Sequence, residues 1–238
     1  MSVTLRSVYT RLLTAYGPQG WWPLPSMAGK RGFDSRGYHP GSFTWPRSTA
    51  QRFEIVVGAI LTQNTAWTNV EKALERLRSA GVTQPADFLQ ATTSRLSRLI
   101  RSSGYFNQKA RKLKTVAAAF SRPGTLSPRF APAREQLLSL WGIGKETADS
   151  ILLYAFGLPV FVVDAYTRRF FERLGLLEGG ESYDQIQDEV HHLLPSRPEL
   201  YNEMHALIVE HAKRHCRSKP ECPGCPISRS CRYFLGSS

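Results

Sequence analysis

The sequence predicts an all-α fold, and three features of its pattern support that prediction. Apolar residues recur every three or four positions over most of the chain, as on the buried face of a helix. Stretches rich in Gly and Pro separate these segments. The alternation typical of strands is scarce, and its best candidate, residues 160–163, is short. We therefore expect successive helices joined by turns, with no internal repeat.

The elements follow in order along the chain. A helix is expected over 5–16, and the glycines and proline of 17–20 end it. Residues 24–48 are rich in Gly, Pro, Ser and basic side chains, which predicts a long loop that either contacts DNA or is simply solvated. Further helices are expected over 50–78, with a break at 63–65, and over 86–102, 108–121, 132–140, 146–156, 165–174, 182–194 and 199–214.

Composition limits the class of protein. The chain has 238 residues, enough for one large or two small domains, and a formal net charge of +12. Such a basic balance is typical of nucleic-acid binders, although a basic protein without a polyanionic partner is the alternative. No stretch has the roughly 18 consecutive apolar residues of a membrane helix, and the N-terminus lacks a signal-peptide pattern. We expect a cytoplasmic, nucleoid-associated monomer.

The 4 cysteines all lie near the C-terminus, in the pattern Cys216-x5-Cys222-x2-Cys225-x5-Cys231. Clustered thiols in a reducing compartment indicate a metal centre rather than disulfides. Four thiolates suit either tetrahedral zinc or a [4Fe–4S] cluster. Zinc sites usually pair their cysteines as two close knuckles, whereas only one close pair is present here. The spacing therefore favours the iron–sulfur cluster.

A second motif is the Gly-x-Gly turn of residues 140–148, which joins two expected helices. Glycines let backbone amides converge, and amides at a helix N-terminus bind phosphate. Asp164 follows the apolar run 160–163 and precedes another helix. It is either an ordinary helix N-cap or a functional carboxylate.

Together, the hairpin, Asp164 and the four cysteines resemble the helix–hairpin–helix DNA glycosylase superfamily, in its endonuclease III-related group. The resemblance covers about residues 50–231, although the first cysteine gap is one residue shorter than the x6 usual in that group. It implies a two-lobed fold: a six-helix barrel domain over 46–158, with the helix–hairpin–helix at about 137–156, and a second helical domain of 1–45 together with 159–238, which carries the [4Fe–4S] cluster loop at 216–231.

The resemblance also implies which residues meet the partner, double-stranded DNA containing a damaged base. Segments 61–65 and 104–110 are similar to family segments that lie near DNA, and the glutamine of the first fills the gap left by a flipped base. The implied DNA-binding residues are Gln63, Asn64, Gly142, Gly144, Lys145, Asn107 and Lys109.

At one position the chain departs from the pattern of the group, and this departure limits which reaction we expect. Bifunctional members of the group carry a lysine two residues after the second hairpin glycine, and it cleaves the strand through a Schiff base. Glu146 occupies that position here. Lys145 lies one residue earlier, so its side chain is turned by about 100° on the helix. We therefore expect a monofunctional glycosylase in which water is the nucleophile and Asp164 stabilises the oxocarbenium-like transition state. Glu146 either orients water or, as we favour, is an ordinary first-turn glutamate that suits the helix N-terminus.

The tryptophans bear on the substrate. Together with the hairpin and Asp164, the segments Gly20-Trp21-Trp22-Pro23 and 61–65 are similar to the 3-methyladenine glycosylase branch of the group, in which a base stacks between aromatic residues. The resemblance implies a base pocket lined by Trp21 or Trp22 with Pro23, and by Trp67 and Lys213. The alternative for the Trp21-Trp22 pair is a hydrophobic plug over the core.

An alkylated purine such as 3-methyladenine is the favoured substrate, because a cationic base is attracted to indole faces and is already a good leaving group. One alternative is excision of oxidised or mismatched pyrimidines or of mispaired adenine. Another is a DNA-binding protein that senses damage without catalysis.

Overall fold

The computed structural model describes residues 4–236, and within that range it is helical without any β-strand. Twelve α-helices follow one another: α1 Leu5–Tyr16, α2 Thr49–Leu61, α3 Trp67–Ser79, α4 Pro85–Gln90, α5 Thr93–Leu99, α6 Phe106–Ala119, α7 Arg134–Leu138, α8 Lys145–Ser150, α9 Ala165–Leu174, α10 Tyr183–Leu193, α11 Pro198–Arg214 and α12 Arg232–Leu235. A π-helical turn, Ile151–Ala155, continues α8. The predicted all-α class is confirmed. In the described part of the chain, no helix has the length and apolar character needed to span a membrane.

Most helices begin where the sequence supplies a cap. Ser48 and Gln51 form a capping box at the start of α2, and Ser182 and Gln185 form another at α10. The predicted helix over 86–102 is in fact two, α4 and α5, because Ala91 adopts an extended conformation between them. The short candidate strand at 160–163 has no regular secondary structure and is part of no strand in the described residues.

The chain divides into two compact units. We call residues 22–158 the hairpin unit and the described residues up to Trp21 together with those from Pro159 the cysteine unit. In the hairpin unit α2 packs against α3, α6 and the π-helical turn, and α6 also packs against α4 and α5. In the cysteine unit α11 packs against both α1 and α9, and Phe161, Phe170 and Tyr201 lie in its core.

The boundary between the units follows Leu158, and residues 22–45 belong to the hairpin unit and not, as expected, to the second domain. Side chains of this segment are tied to α2 and α3. Ser26 donates from its backbone and hydroxyl to the Glu54 carboxylate, and Arg36 forms a two-pronged ion pair with Glu71 at 2.9 and 3.0 Å. The predicted loop over 24–48 is thus held against α2 and α3 of the hairpin unit.

Candidate functional site

Asp164 lies at the N-cap of α9 in the cysteine unit. Its Oδ1 accepts a hydrogen bond from the Thr167 backbone amide at 2.7 Å, and its Oδ2 lies 3.5 Å from His205 Nε2. The carboxylate is mostly buried, with 15% of the side chain exposed. Burial by itself favours the neutral acid, but the electrostatic interaction and hydrogen bond with His205 and the hydrogen bonds from Thr167 outweigh it and lower the pKa of Asp164 below its ordinary value. The group is therefore a carboxylate at neutral pH.

Trp21 lies beside His205, the residue that faces the Asp164 carboxylate. Its ring meets the His205 ring edge to face, with centroids 5.6 Å apart. The side-chain amide of Asn202 donates to the Trp21 carbonyl at 2.8 Å, and Asn202 Oδ1 is buried without a hydrogen-bond partner among the described residues. We call Asp164, His205, Trp21 and Asn202 the aspartate site. It combines an ionised carboxylate, a half-buried indole and an unused amide oxygen.

Sequence reasoning missed His205 and Asn202. Both lie on α11, at spacings that a helix also uses for ordinary core residues. Nothing local distinguishes them from their neighbours. Only the packing of α11 against α9 brings His205 to the Asp164 carboxylate.

Trp22 and Pro23 are buried, and the predicted base-pocket role of these two residues is corrected. The Trp22 ring meets Trp67 edge to face at 5.3 Å and Tyr154 at 5.0 Å. A base needs an open aromatic face for stacking, and direct contact between Trp22 and Trp67 leaves no room for one between them. Trp22 is therefore a core residue of the hairpin unit. Trp67 is half-buried, and its indole nitrogen has no hydrogen-bond partner in the described chain.

The hairpin takes the predicted form, with α7 and α8 flanking the turn of Gly142, Ile143 and Gly144. Gly142 has φ +81°, and a Cβ there would lie 2.5 Å from Lys112 Cε, so this position requires glycine. Arg134 on α7 holds the fully buried Asp149 on α8 through two bonds of 2.6 and 2.9 Å. Lys145 and Glu146 are both exposed in the first turn of α8.

Gln63 is joined to the hairpin. Its Nε2 donates to the Gly142 carbonyl at 3.2 Å and to Thr147 Oγ1 at 2.9 Å, while its Oε1 accepts from Lys112 Nζ at 2.6 Å. The side chain thus holds the turn in place. Its neighbour Asn64 is exposed and adopts a left-handed conformation, with φ +51°.

Lys109 was predicted to contact DNA, and the structure corrects this. The residue is 1% exposed, and its ammonium donates to Leu61 O at 2.8 Å, Thr65 Oγ1 at 2.9 Å and Ser103 O at 2.6 Å. Three donors meet three acceptors, so none is left for a phosphate. Burial, with a contribution from Lys112, lowers the pKa of Lys109 to about 8. Lys109 is a structural cation that ties the 62–66 loop to residue 103, while Asn107 is exposed.

The four cysteines line one cavity within the cysteine unit, together with residues of α9 and α11. None of the four forms a disulfide, and burial raises the pKa of the Cys225 and Cys231 thiols. Arg173 Nη1 lies 3.4 Å from Cys216 Sγ. Among residues 4–236, no group of three or more His, Cys, Asp or Glu side chains converges on a single metal-ion position. The thiols instead surround the cavity.

The structure does not bring Lys213 to the aspartate site, and its place in the base pocket stays a prediction. It is exposed on the same helix as His205, eight residues further along. At 1.5 Å per residue, that separation is about 12 Å along the axis. Lys213 is instead next to the cysteine loop, where its carbonyl accepts from Arg217.

Comparison with known proteins decides the family. The model of the HhH-GPD superfamily of base excision DNA repair proteins matches residues 57–196. The chain belongs to this superfamily. It is 40% identical over 231 residues to the protein named "Putative DNA repair glycosylase MJ1434" of Methanocaldococcus jannaschii, covering 94% of each chain.

Two solved structures share the fold of this HhH-GPD protein. The 3-methyladenine DNA glycosylase MagIII of H. pylori, bound to 1,N6-ethenoadenine, has a TM-score of 0.70 at 28% identity and covers 89% of this chain and 98% of its own. A trapped covalent intermediate of endonuclease III with DNA has a TM-score of 0.68 at 26% identity, covering 78% and 85%. The HhH-GPD protein is accordingly a DNA glycosylase of base excision repair that binds DNA.

Proposed function

We propose that this glycosylase hydrolyses the N-glycosidic bond of alkylated purines, such as 3-methyladenine, in double-stranded DNA and leaves the strand intact. The aspartate site is the observation that carries the proposal. It offers a carboxylate held ionised by its surroundings and a half-buried indole within one group of contacts. These are the elements that cleavage of a bond to a cationic base requires.

Asp164 supplies the electrostatic part of the reaction. As the C1′–N bond breaks, positive charge develops on the sugar, and a fixed carboxylate stabilises it. The Thr167 amide and His205 hold the carboxylate in one position, so little reorganisation is needed. The same carboxylate accepts a proton from the water that attacks C1′. The electron pair of the broken bond leaves with the base.

The surroundings of Trp21 favour a positively charged base. Its indole attracts a cation by about 0.5–2 kcal/mol. The buried Asn202 Oδ1 is an acceptor, and it lies on the residue that holds the Trp21 backbone. Buried acceptors without donors are satisfied by a ligand that brings N–H groups or positive charge. The similarity to MagIII, solved with an ethenoadenine, supports a modified purine.

The hairpin supports excision without strand cleavage. The exposed Glu146 cannot form a Schiff base, and Lys145 is exposed, whereas a lysine nucleophile needs desolvation to lower its pKa. We therefore expect no covalent enzyme–DNA adduct on treatment with borohydride. The abasic strand should break only after alkali.

The cysteine cavity fits a [4Fe–4S] cluster held by Cys216, Cys222, Cys225 and Cys231. Thiols that surround a cavity suit a multi-iron cluster better than a single tetrahedral ion. When bound, the cluster would cross-link the cysteine loop and hold the basic side chains of that loop in place. It takes no part in breaking the glycosidic bond.

The deciding experiment is identification of bases released from methylated DNA. We expect 3-methyladenine, and an Asp164→Asn variant should lower its release at least 100-fold while duplex binding persists. Asp188→Asn makes the same chemical change at an exposed position of α10 in the same unit and should leave release unchanged. Wild-type release by Asp164→Asn would overturn the mechanism.

A glycosylase for oxidised or mismatched pyrimidines is the second candidate. The amide oxygen of Asn202 favours it, because the ring N–H of uracil or thymine is a suitable donor. A panel of lesion duplexes separates the two substrates. DNA binding without release of any base would instead indicate a non-catalytic damage sensor.

A further inference from the structure

One segment of the hairpin unit carries almost all of the protein's excess positive charge. Residues 88–134 contain no Asp or Glu, and the chain as a whole has a net charge of +12. The basic residues of the segment are Arg95, Arg98, Arg101, Lys109, Arg111, Lys112, Lys114, Arg122, Arg129 and Arg134. Lys109, Lys112 and Arg134 are engaged in the interior contacts already described. The remaining basic side chains, all exposed except the half-buried Lys114, create a positive potential that attracts polyanions.

Three of the exposed arginines converge on one recess. Arg98, Arg101 and Arg111 line an open cavity of about 640 Å³ between α5 and the start of α6, which we call the arginine recess. In the described part of the chain, no carboxylate pairs with any of the three guanidinium groups and none of them donates a hydrogen bond. Asn107 and Gln108 also line the recess, with side-chain amides that have no protein partner among the described residues. Guanidinium groups that have no carboxylate partner are suited to bind phosphate oxygens through hydrogen bonds.

Two further features point to an anion. The 14-residue helix α6 begins at this recess, and its N-cap, Tyr105, makes no side-chain capping bond, so first-turn amides remain available. Ser97, which lines the same recess, is 6% exposed, and its Oγ has no hydrogen-bond partner in the described chain. A buried hydroxyl without a partner is costly unless a ligand satisfies it.

We propose that the arginine recess binds a backbone phosphate of duplex DNA whether or not a lesion is present. The ligand chemistry is a phosphodiester, and the polyanion supplies the neighbouring phosphates that the exposed arginines around the recess attract. The proposal requires that the glycosylase bind duplex DNA, but it is independent of which base is excised. The recess then serves to hold undamaged DNA during the search for a lesion.

The test is equilibrium binding of a lesion-free duplex, followed by fluorescence anisotropy as NaCl is varied. The variant is Arg98→Ala/Arg101→Ala/Arg111→Ala in the full chain. The matched control, Lys72→Ala/Arg76→Ala/Arg122→Ala, removes the same charge from exposed positions of the same unit outside the recess. The conservative triple Arg98→Lys/Arg101→Lys/Arg111→Lys tests whether charge at the recess suffices.

We expect the recess variant to bind at least tenfold more weakly at low salt. The slope of log affinity against log salt should become shallower by about one for each phosphate that the variant no longer binds. The control should show a smaller change in slope, and the lysine triple should recover most of the wild-type slope. Equal slopes for the recess and control variants would overturn the proposal.

Inorganic phosphate, added at constant ionic strength, distinguishes the two sources of the anion. If it stabilises the wild type against heating but the duplex slope of the recess variant is unchanged, the recess binds free phosphate and the DNA proposal is overturned. Because no base is released in any arm, failure of the alkylpurine assignment would leave this result standing.

Discussion

At the scale of single residues, the mostly buried charged side chains of Asp164 and Lys109 have different roles. Asp164 is kept ionised by His205 and Thr167, and Lys109 is surrounded by three oxygen acceptors. In both, the cost of burying a charge is offset by partners placed at hydrogen-bonding distance. The first arrangement serves the chemistry of the aspartate site, and the second holds a loop in shape.

We expect the pKa of Asp164 to rise when His205 is replaced by Asn. The substitution removes the electrostatic and hydrogen-bonding contribution of His205 that lowers this pKa, while burial, which favours the neutral acid, remains. Because the folded pKa is depressed in the wild type, the carboxylate and the stability it contributes are lost only as pH falls through that low pKa. The acid limb of the pH–rate profile should therefore move to higher pH in His205→Asn.

The matched control for this measurement is His192→Asn. His192 is exposed on α10, and within residues 4–236 the single hydrogen bond of its ring joins Nδ1 to the Asp188 carbonyl oxygen, at 2.8 Å. Its profile should coincide with that of the wild type. An unmoved acid limb in His205→Asn would show that His205 does not set the charge of Asp164.

Lys109→Met should lower the free energy of unfolding by about 3 kcal/mol or more, because the acceptors at Leu61, Thr65 and Ser103 lose their donor in the interior. Lys114→Met removes a lysine from the same helix that makes one bond, to the Leu89 carbonyl, at the surface. It should change the free energy of unfolding by less than about 1 kcal/mol. Denaturant unfolding measures both, and equal effects would contradict the structural role of Lys109.

At the scale of elements, the hairpin depends on its neighbours as much as on its own glycines. Gln63 from the loop after α2 and Lys112 from α6 both reach it, and the Arg134–Asp149 pair closes its base. The turn is thus fixed from three directions. Its backbone amides are therefore held in place, and a ligand that bound them would not have to order the turn.

The two hairpin glycines should respond differently to alanine. Gly142→Ala forces a side chain into left-handed backbone and against Lys112, so it should lower the free energy of unfolding by about 1–3 kcal/mol. Gly144 has φ −95°, and its added Cβ would meet nothing within 4 Å, so Gly144→Ala should cost less than about 1 kcal/mol. Thermal or denaturant unfolding compares them. Equal losses would mean that the close approach of Lys112 does not restrict the turn.

At the scale of the whole molecule, the loop that carries the four cysteines surrounds one cavity near the C-terminus. Residues 216–231 meet α9 and α11 there, and Arg173 also donates to the carbonyls of Arg217 and Ser218. Thiols whose pKa is raised by burial must release protons to bind metal. Binding of the proposed cluster would therefore release protons and become weaker as the pH falls.

We expect protein purified without oxygen to contain about four iron and four sulfide per chain and to absorb visible light. Removing the metal with a chelator, or Cys222→Ser, should lower the melting temperature and the iron content together. Ser228→Ala changes a nearby side chain that is not a proposed ligand and should preserve both. One zinc per chain, without sulfide, would contradict the cluster.

Much of the molecule was determined by local pattern. Helical periodicity and caps define α1, α2 and α9–α11 to within about two residues, and the Gly-x-Gly turn, the N-cap Asp164 and the cysteine spacing are all explicit in the sequence. These features depend on residues a few positions apart, so short-range physics suffices to predict them. The sequence alone also shows that position 146 is not a lysine.

Only the tertiary structure decided which of these side chains meet. It turned Lys109 inward, placed Trp22 in a core and Trp21 beside His205, and separated Lys213 from the aspartate site. It also assigned residues 22–45 to the hairpin unit. Each outcome depends on contacts between segments far apart along the chain, and burial against such partners overrides what composition and spacing indicate about one residue.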